Sequence, residues 1–222
     1  MRFVFLVATI FCLSACNFNI TPTFYIRDIQ DVISDKQDIE IPIFIKLPAS
    51  DVDSCNSEIG QVIGILDTYG IDATLQSCGA DENNLFATAN VEFAASVVYS
   101  ETSQVKNFKG IVGLIVDEAG DGVYYLNLQA NPNLPKAISD IEDALIFATL
   151  DASQVGFIIT LNNDTRRAMT FNIYDSFVNG VATDYNTFEL GPRSELEVRA
   201  SDVGANLFFN RGWFGLGDFT NN

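Results

Sequence analysis

Asp38 to Leu47 sets Ile39, Ile41, Ile43 and Ile45 against Glu40, Pro42, Phe44 and Lys46. Successive strand side chains point to opposite faces, so this period of two predicts a strand with one buried and one wet face. A chain built around such a strand must supply antiparallel partners and a core for the isoleucines. Pro42 has no backbone N–H, which confines the strand to an edge or to pairing on one side.

Similar runs recur along the chain. Phe24 to Ile26 opens a strand, and Leu85 to Tyr99 is a long one. Ile111–Val116 and Val123–Leu128 flank the turn Asp117–Gly122, which predicts a hairpin. In that turn Asp117 and Asp121 occupy the first and fifth places of an EF-hand-like loop. Ala119 and Leu128 stand at the third and twelfth, so a solvated acidic turn is expected and no metal site. Two helices are predicted. One follows Ser57 with Ile59, Val62, Ile63 and Leu66 on one face and Gly70 as its stop. Its Gly60 and Gly64 suggest close packing on a sheet. The other runs from Leu134 through Ala148 on the stripe Leu134, Ile138, Ile141, Leu145 and Ala148.

From Val155 onward only strands are expected: Gly156–Leu161, Met169–Tyr174, a tight Asn179-Gly180 hairpin, Phe188–Leu190 and Leu196–Arg199. The short runs NNDT, VNG and LGPRSEL resemble immunoglobulin-like or fibronectin-like accessory domains. The expected fold class is therefore α+β, mostly antiparallel β-sheet with two helices, the second half a small β-sandwich-like module. This divides the chain into an α+β domain over 24–150 and a β-sandwich-like module over 151–222, one continuous domain being the alternative. The tail Leu207–Phe219 is rich in aromatics and glycine and holds the only tryptophan, Trp213. It reads as a final strand tucked against the core, with Trp213 and its neighbour Phe214 as candidate partner contacts.

Side-chain chemistry narrows the function. Histidine is absent, which removes Ser-His-Asp and Cys-His catalysis and His-ligated zinc. Twelve Lys and Arg face 29 Asp and Glu, a net charge of −17. Such a surface repels nucleic acid and anionic headgroups. No catalytic set, metal ligands or cofactor is expected.

Residues 1–15, MRFVFLVATIFCLSA, combine a basic start, a short apolar run and small residues before Cys16. This is the pattern of a cleaved secretory signal, too short to be a permanent span. LSAC at 13–16 resembles the bacterial lipobox. The resemblance implies that the Cys16 thiol carries a lipid anchor with palmitate-type acyl chains, followed by a lipidated linker over 16–23. Asn17, not aspartate, follows the anchor; by resemblance to enterobacterial sorting this favours the outer membrane, facing the periplasm, over the inner. Export leaves Cys55 and Cys78 in an oxidising compartment, where a structural disulfide is the natural pairing. Two free thiols or a redox pair are the alternatives, although the C-x-x-C spacing of a redox pair is missing.

As a whole the chain resembles small membrane lipoproteins of bacterial and prophage genomes that carry an uncharacterised domain. The resemblance rests on the lipobox, the cysteine-flanked helix from Cys55 to Cys78, and the run LNNDT…NIYDSFVNG…FELGP. It brings no catalytic residues and raises a phage-derived role in the envelope. The leading expectation is a lipid-anchored, non-enzymatic binding or assembly protein with an envelope protein partner. The alternative is a carboxylate-dependent glycosidase or other envelope hydrolase, for which Asp117, Glu118 and Asp121 are the available acids.

Overall fold

The computed structural model describes residues 18–80, 87–101, 107–144 and 155–220. Cys16 and the signal therefore lie outside the described residues, as do Leu145 and Ala148 at the end of the second expected helix. In chain order the elements are β1 (Phe18–Ile20), β2 (Thr23–Tyr25), α1 (Ile26–Asp35), β3 (Ile39–Ala49), α2 (Val52–Thr68) and β4 (Ala73–Ala80). They continue with β5 (Ala87–Ser100), β6 (Val112–Gly120), β7 (Val123–Ala130), α3 (Leu134–Ala144), β8 (Val155–Asn162) and β9 (Met169–Val178). The last are β10 (Val181–Leu190), β11 (Glu195–Ala200), α4 (Asp202–Arg211) and β12 (Trp213–Thr220).

The twelve described strands form one sheet in the order β1-β8-β11-β9-β12-β7-β6-β5-β3, with β10 beside β9, β2 beside β8 and β4 beside β5. The expected fold class is overturned here. In place of an antiparallel sheet with two helices and a small β-sandwich-like module stands a nearly closed, barrel-like sheet with four helices among the described residues. The strands after residue 150 do not form a module of their own. β12 joins β9 to β7, and β1 and β2 add in parallel to β8. Turn signals report which neighbours in sequence form hairpins; they carry no information about these distant partners.

The two ends of the sheet meet without closing. β1 lies against β3, and a groove between them is lined by Thr21, Thr23, Tyr25 and Ile41 to Phe44. The phase of the ladder explains why. The Ala94 carbonyl accepts from the Ile111 N–H at 2.8 Å, on the side of β5 away from β3. Ala94 faces Pro42 across the β3–β5 pair. Residues opposite one another in an antiparallel ladder alternate between bonded and non-bonded pairs, so Pro42 turns its nitrogen toward the open edge. Pro48, opposite Thr88, has the same phase. Both prolines thus remove donors from the free edge and from nowhere else, a known guard against edge pairing.

Inside the curled sheet sit Phe24, Phe157, Phe171 and Phe219, all buried. Phe208 of α4 reaches in to within 4.2 Å of the Phe157 ring centre. Helix α1 crosses one end, burying Ile26, Ile29, Val32 and Ile33. At its C-terminus the Lys36 ammonium lies 3.2 Å from the Tyr99 ring centre and 3.7 Å from Glu118. Helix α4 begins at Ser201, whose Oγ accepts from the Gly204 N–H, and stops at Gly212 with φ 80°.

β5 and β6 are parallel neighbours. Phe108, just before β6 in sequence, lies over Gly113 on the outer face. Val98 and Ile115 are buried there although they point away from the interior.

Helix α2 starts earlier than the sequence suggests: Asp51, and not Ser57, is its cap, accepting from the Ser54 N–H at 2.8 Å. Cys55 sits in its first turns and is disulfide-bonded to Cys78 of β4 across 23 residues. Closing a loop of this length stabilises by about 3 kcal/mol in the chain-entropy model. Gly60 and Gly64 differ from expectation. Both are exposed and a Cβ on either meets nothing within 4 Å, so no close packing requires them.

Two stability predictions follow. The double variant Cys55→Ala/Cys78→Ala loses about 3 kcal/mol in urea unfolding; an unchanged midpoint would disprove the loop-closure account. Gly60→Ala and Gly64→Ala each gain about 0.5–1 kcal/mol by removing helix-interior glycine from open positions. A loss at either would reveal a contact there.

Candidate functional site

Strands β7, β12, β9 and β10 are adjacent, and their alternation decides what reaches the outer face. Leu126, Leu128, Phe214, Leu216, Phe219, Phe171 and Ile173 turn inward. Facing outward are Tyr125 and Asn127 of β7, Trp213, Gly215 and Asp218 of β12, Asn172 and Tyr174 of β9, and Tyr185 and Thr187 of β10. Register aligns them in rows. Tyr125 is opposite Asp218, Asp218 opposite Asn172, and Asn172 opposite Thr187. Tyr174 and Tyr185 face each other one step along.

These rows are cross-linked by side-chain hydrogen bonds. The Tyr174 hydroxyl donates to Asp218 Oδ2 in a very short bond. Asn172 Nδ2 donates to Asp218 Oδ1 at 2.7 Å. Thr187 Oγ1 donates to Asn172 Oδ1 at 2.8 Å. The Tyr174 and Tyr185 rings stack with centres 5.4 Å apart and planes 13° from parallel. Burial first, and then the Asp218 carboxylate, hold the Tyr174 hydroxyl well above the ordinary tyrosine range. Around this ordered floor Tyr125 is 46% exposed, Tyr185 62% and Trp213 46%.

Two backbone features shape the floor. β12 bulges between Gly215 and Gly217, where a Cβ on Gly217 would run into the Asn172 carbonyl; the bulge gives Gly215 and Asp218 the same outward face. β9 turns at Asp175, a non-glycine residue with φ 39°. Before it Asn172 and Tyr174 face out, and after it Ser176 and Val178 are buried. This is how one strand passes from the β12 side of the sheet to the β11 side.

The residues singled out from the sequence are dispersed. Trp213 lies on this face. Phe214, its neighbour, is buried and packs edge-on to Phe208 with ring centres 6.5 Å apart. Asp117, Glu118 and Asp121 do not share a cleft. Asp117 is buried on the outer face of β6, accepting from Asn127 Nδ2 at 2.6 Å, and its other oxygen has no hydrogen-bond partner among the described residues. Glu118 turns to the opposite face and receives the Tyr99 hydroxyl. Asp121 is in the β6–β7 turn with φ 53°. Among the described residues no group of His, Cys, Asp and Glu is placed to hold a metal ion, and no helix is long and apolar enough to cross a membrane. Tyr125, Tyr174, Tyr185 and Asp218 were not visible as a site in the sequence because they come from separate strands. The usable signal was their shared phase opposite the apolar positions.

The Tyr174 environment predicts a pH dependence. A hydroxyl that binds its proton more tightly when folded stabilises the chain below the unfolded tyrosine pKa of about 10. That contribution falls as pH rises above this value, because the unfolded state releases its proton first. Wild type should exceed Tyr174→Phe by about 1–2 kcal/mol near neutrality, with the gap narrowing above about pH 10. Urea unfolding of both chains from pH 8 to 11 reads this; a constant gap would contradict it.

No curated protein matches this chain, and no solved structure matches it. Residues 18–220, which span the whole described sheet from β1 to β12, match the family described as Domain of unknown function (DUF7424), and the chain belongs to that family.

Proposed function

We propose that this chain is a lipid-anchored protein of the bacterial envelope that acts by binding and carries no catalytic centre. The observation that carries the reading is the outer face of β7, β12, β9 and β10. Three aromatic rings stand exposed there around a hydrogen-bonded floor that fixes its own side chains. Preorganised surfaces of this kind bind without a further ordering penalty.

The anchor part of the reading rests on LSAC at 13–16 and the apolar run before it. Two acyl chains or more on Cys16 would hold the chain stably, since burial is worth about 0.8 kcal/mol per CH₂. β1 begins at Phe18, so a single residue, Asn17, would separate the lipid from the sheet. Residues 18–20 and Thr23, which read as linker, belong to strands β1 and β2, and the body would be held directly against the bilayer. Asn17 and the export signal favour the outer membrane facing the periplasm. The partner is a component of that compartment, and a prophage origin fits the same architecture.

Two measurements test this. Cells grown with a clickable palmitate analogue should label the wild-type chain and not Cys16→Ser; label persisting on the variant would sink the anchor. A photo-crosslinking residue at position 185 should capture one defined envelope component in cells, while the same residue at position 203 on α4 captures none. Equal and diffuse capture at both positions would count against a recognition face.

A further inference from the structure

We propose that the outer face of β7, β12, β9 and β10 binds a neutral glycan chain; this rests on the binding reading above and names its ligand class. The first argument is the spacing of the rings. Strands are about 4.8 Å apart and residues rise about 3.4 Å. Tyr125 and Tyr185 are separated by three strand intervals and two residues along the strand, and Trp213 lies two residues beyond Tyr185 in the same direction. The three rings therefore form a triangle with sides of about 12 to 16 Å. A chain of sugar rings can lay one C–H face on each.

The second argument is what fills the space between the rings. A protein partner requires a contiguous apolar centre, in interfaces of about 800 Å² per side. Here the intervening positions are Asp218, Asn172, Thr187, Asn127 and Gly215, and the rings are islands. A sugar needs this alternation: an aromatic face under its C–H groups and carboxylate, amide and hydroxyl groups at its rim. The floor is already ordered, since Tyr174 and Asn172 both donate to Asp218.

The third argument is charge. β7, β9, β10 and β12 contain no lysine or arginine and carry Asp175, Asp184, Glu189 and Asp218. Phosphate-bearing or uronic polymers would be repelled from this face. Among polysaccharides, neutral chains are the class that remains.

Trp213 is the only tryptophan in the chain, so its emission reports the site directly. The full chain in detergent micelles is titrated with chitohexaose, cellohexaose and maltohexaose, with oligolysine and heparin alongside. The expected result is a saturable emission change with at least one neutral series, strengthening from dimer to hexamer. Tyr125→Ala and Tyr185→Ala should each weaken binding about tenfold, while Phe44→Ala on the opposite part of the sheet leaves it unchanged. Circular dichroism of each variant confirms that the fold is kept. Lack of saturation with every neutral series overturns the proposal. Saturation by oligolysine or heparin alone does the same, as does binding indifferent to Tyr125 and Tyr185. If position 185 still captures a single envelope protein in cells, the glycan assignment falls and the binding reading stands; if it captures nothing, both fall.

Discussion

The open edge of β3 is the constraint on which the rest of the structure depends. A sheet this long curls to bury its apolar face, and curling brings its two ends together. In most such sheets the ends would pair and complete a barrel. Here Pro42 and Pro48 share the phase that faces the gap, so the β3 edge offers too few donors for a ladder. The N-terminal strands β1 and β2 take their hydrogen bonds from β8 instead, in parallel. Side chains, not backbone, then fill the seam: Thr21, Thr23 and Tyr25 on one bank and Ile41 to Phe44 on the other. The same prolines protect the edge from pairing with a foreign strand.

A second consequence concerns β9. An almost closed sheet with α1 across one end and α4 reaching into its interior leaves no room for two independent layers. One strand has to serve both sides. β9 does so by turning at Asp175, pairing with β12 before the turn and with β11 after it. The turn shifts the phase of the alternation: Asn172 and Tyr174 face out before it, and Ser176 and Val178 face in after it. The face with the ordered tyrosines exists because of the corner that lets the sheet wrap.

Local structure was legible where the local signal is strong. The β3 alternation, the β5 run over its described residues and the Asn179-Gly180 hairpin form as read. The β6–β7 hairpin forms too, but β6 runs on to Gly120, so the expected solvated turn Asp117–Gly122 shrinks to Asp121-Gly122 and Asp117 is buried in the strand; the residues of both tight turns have positive φ. Helix α1 was missed although Ile26, Ile29 and Val32 recur at helical spacing, because the preceding Phe-Tyr-Ile favours a strand locally. Helix α4 was missed because Gly204 and Phe208 are its only buried residues, too few to mark a stripe. The interleaving of early and late strands was beyond local reading: nothing near Trp213 announces that Gln129 is its partner. Of the site, the sequence pointed to Trp213 through its rarity. Tyr125, Tyr185 and Asp218 become neighbours only through register.

Isolated exposed apolar residues need no explanation, so the force of the site lies in how the exposed rings are distributed. The large exposed hydrophobics among the described residues are Tyr25, Phe44, Val52, Tyr125, Val181, Tyr185, Val203 and Trp213. The three valines sit at the starts of helices and strands. Tyr25 and Phe44 line the seam and help to bridge it. Tyr185 stacks on Tyr174, Tyr125 and Trp213 have no comparable structural duty, and all three share one face of four contiguous strands. Between them Asp218 is held by donors from β9 on both its oxygens, which fixes the β12–β9 register and keeps the floor polar. Packing alone would be served as well by threonine or valine in place of Tyr125 and Trp213. An exposed aromatic set over a polar, basic-residue-free floor is what recognition of an uncharged polyhydroxylated chain demands, and the fold accounts for everything else on this surface without it.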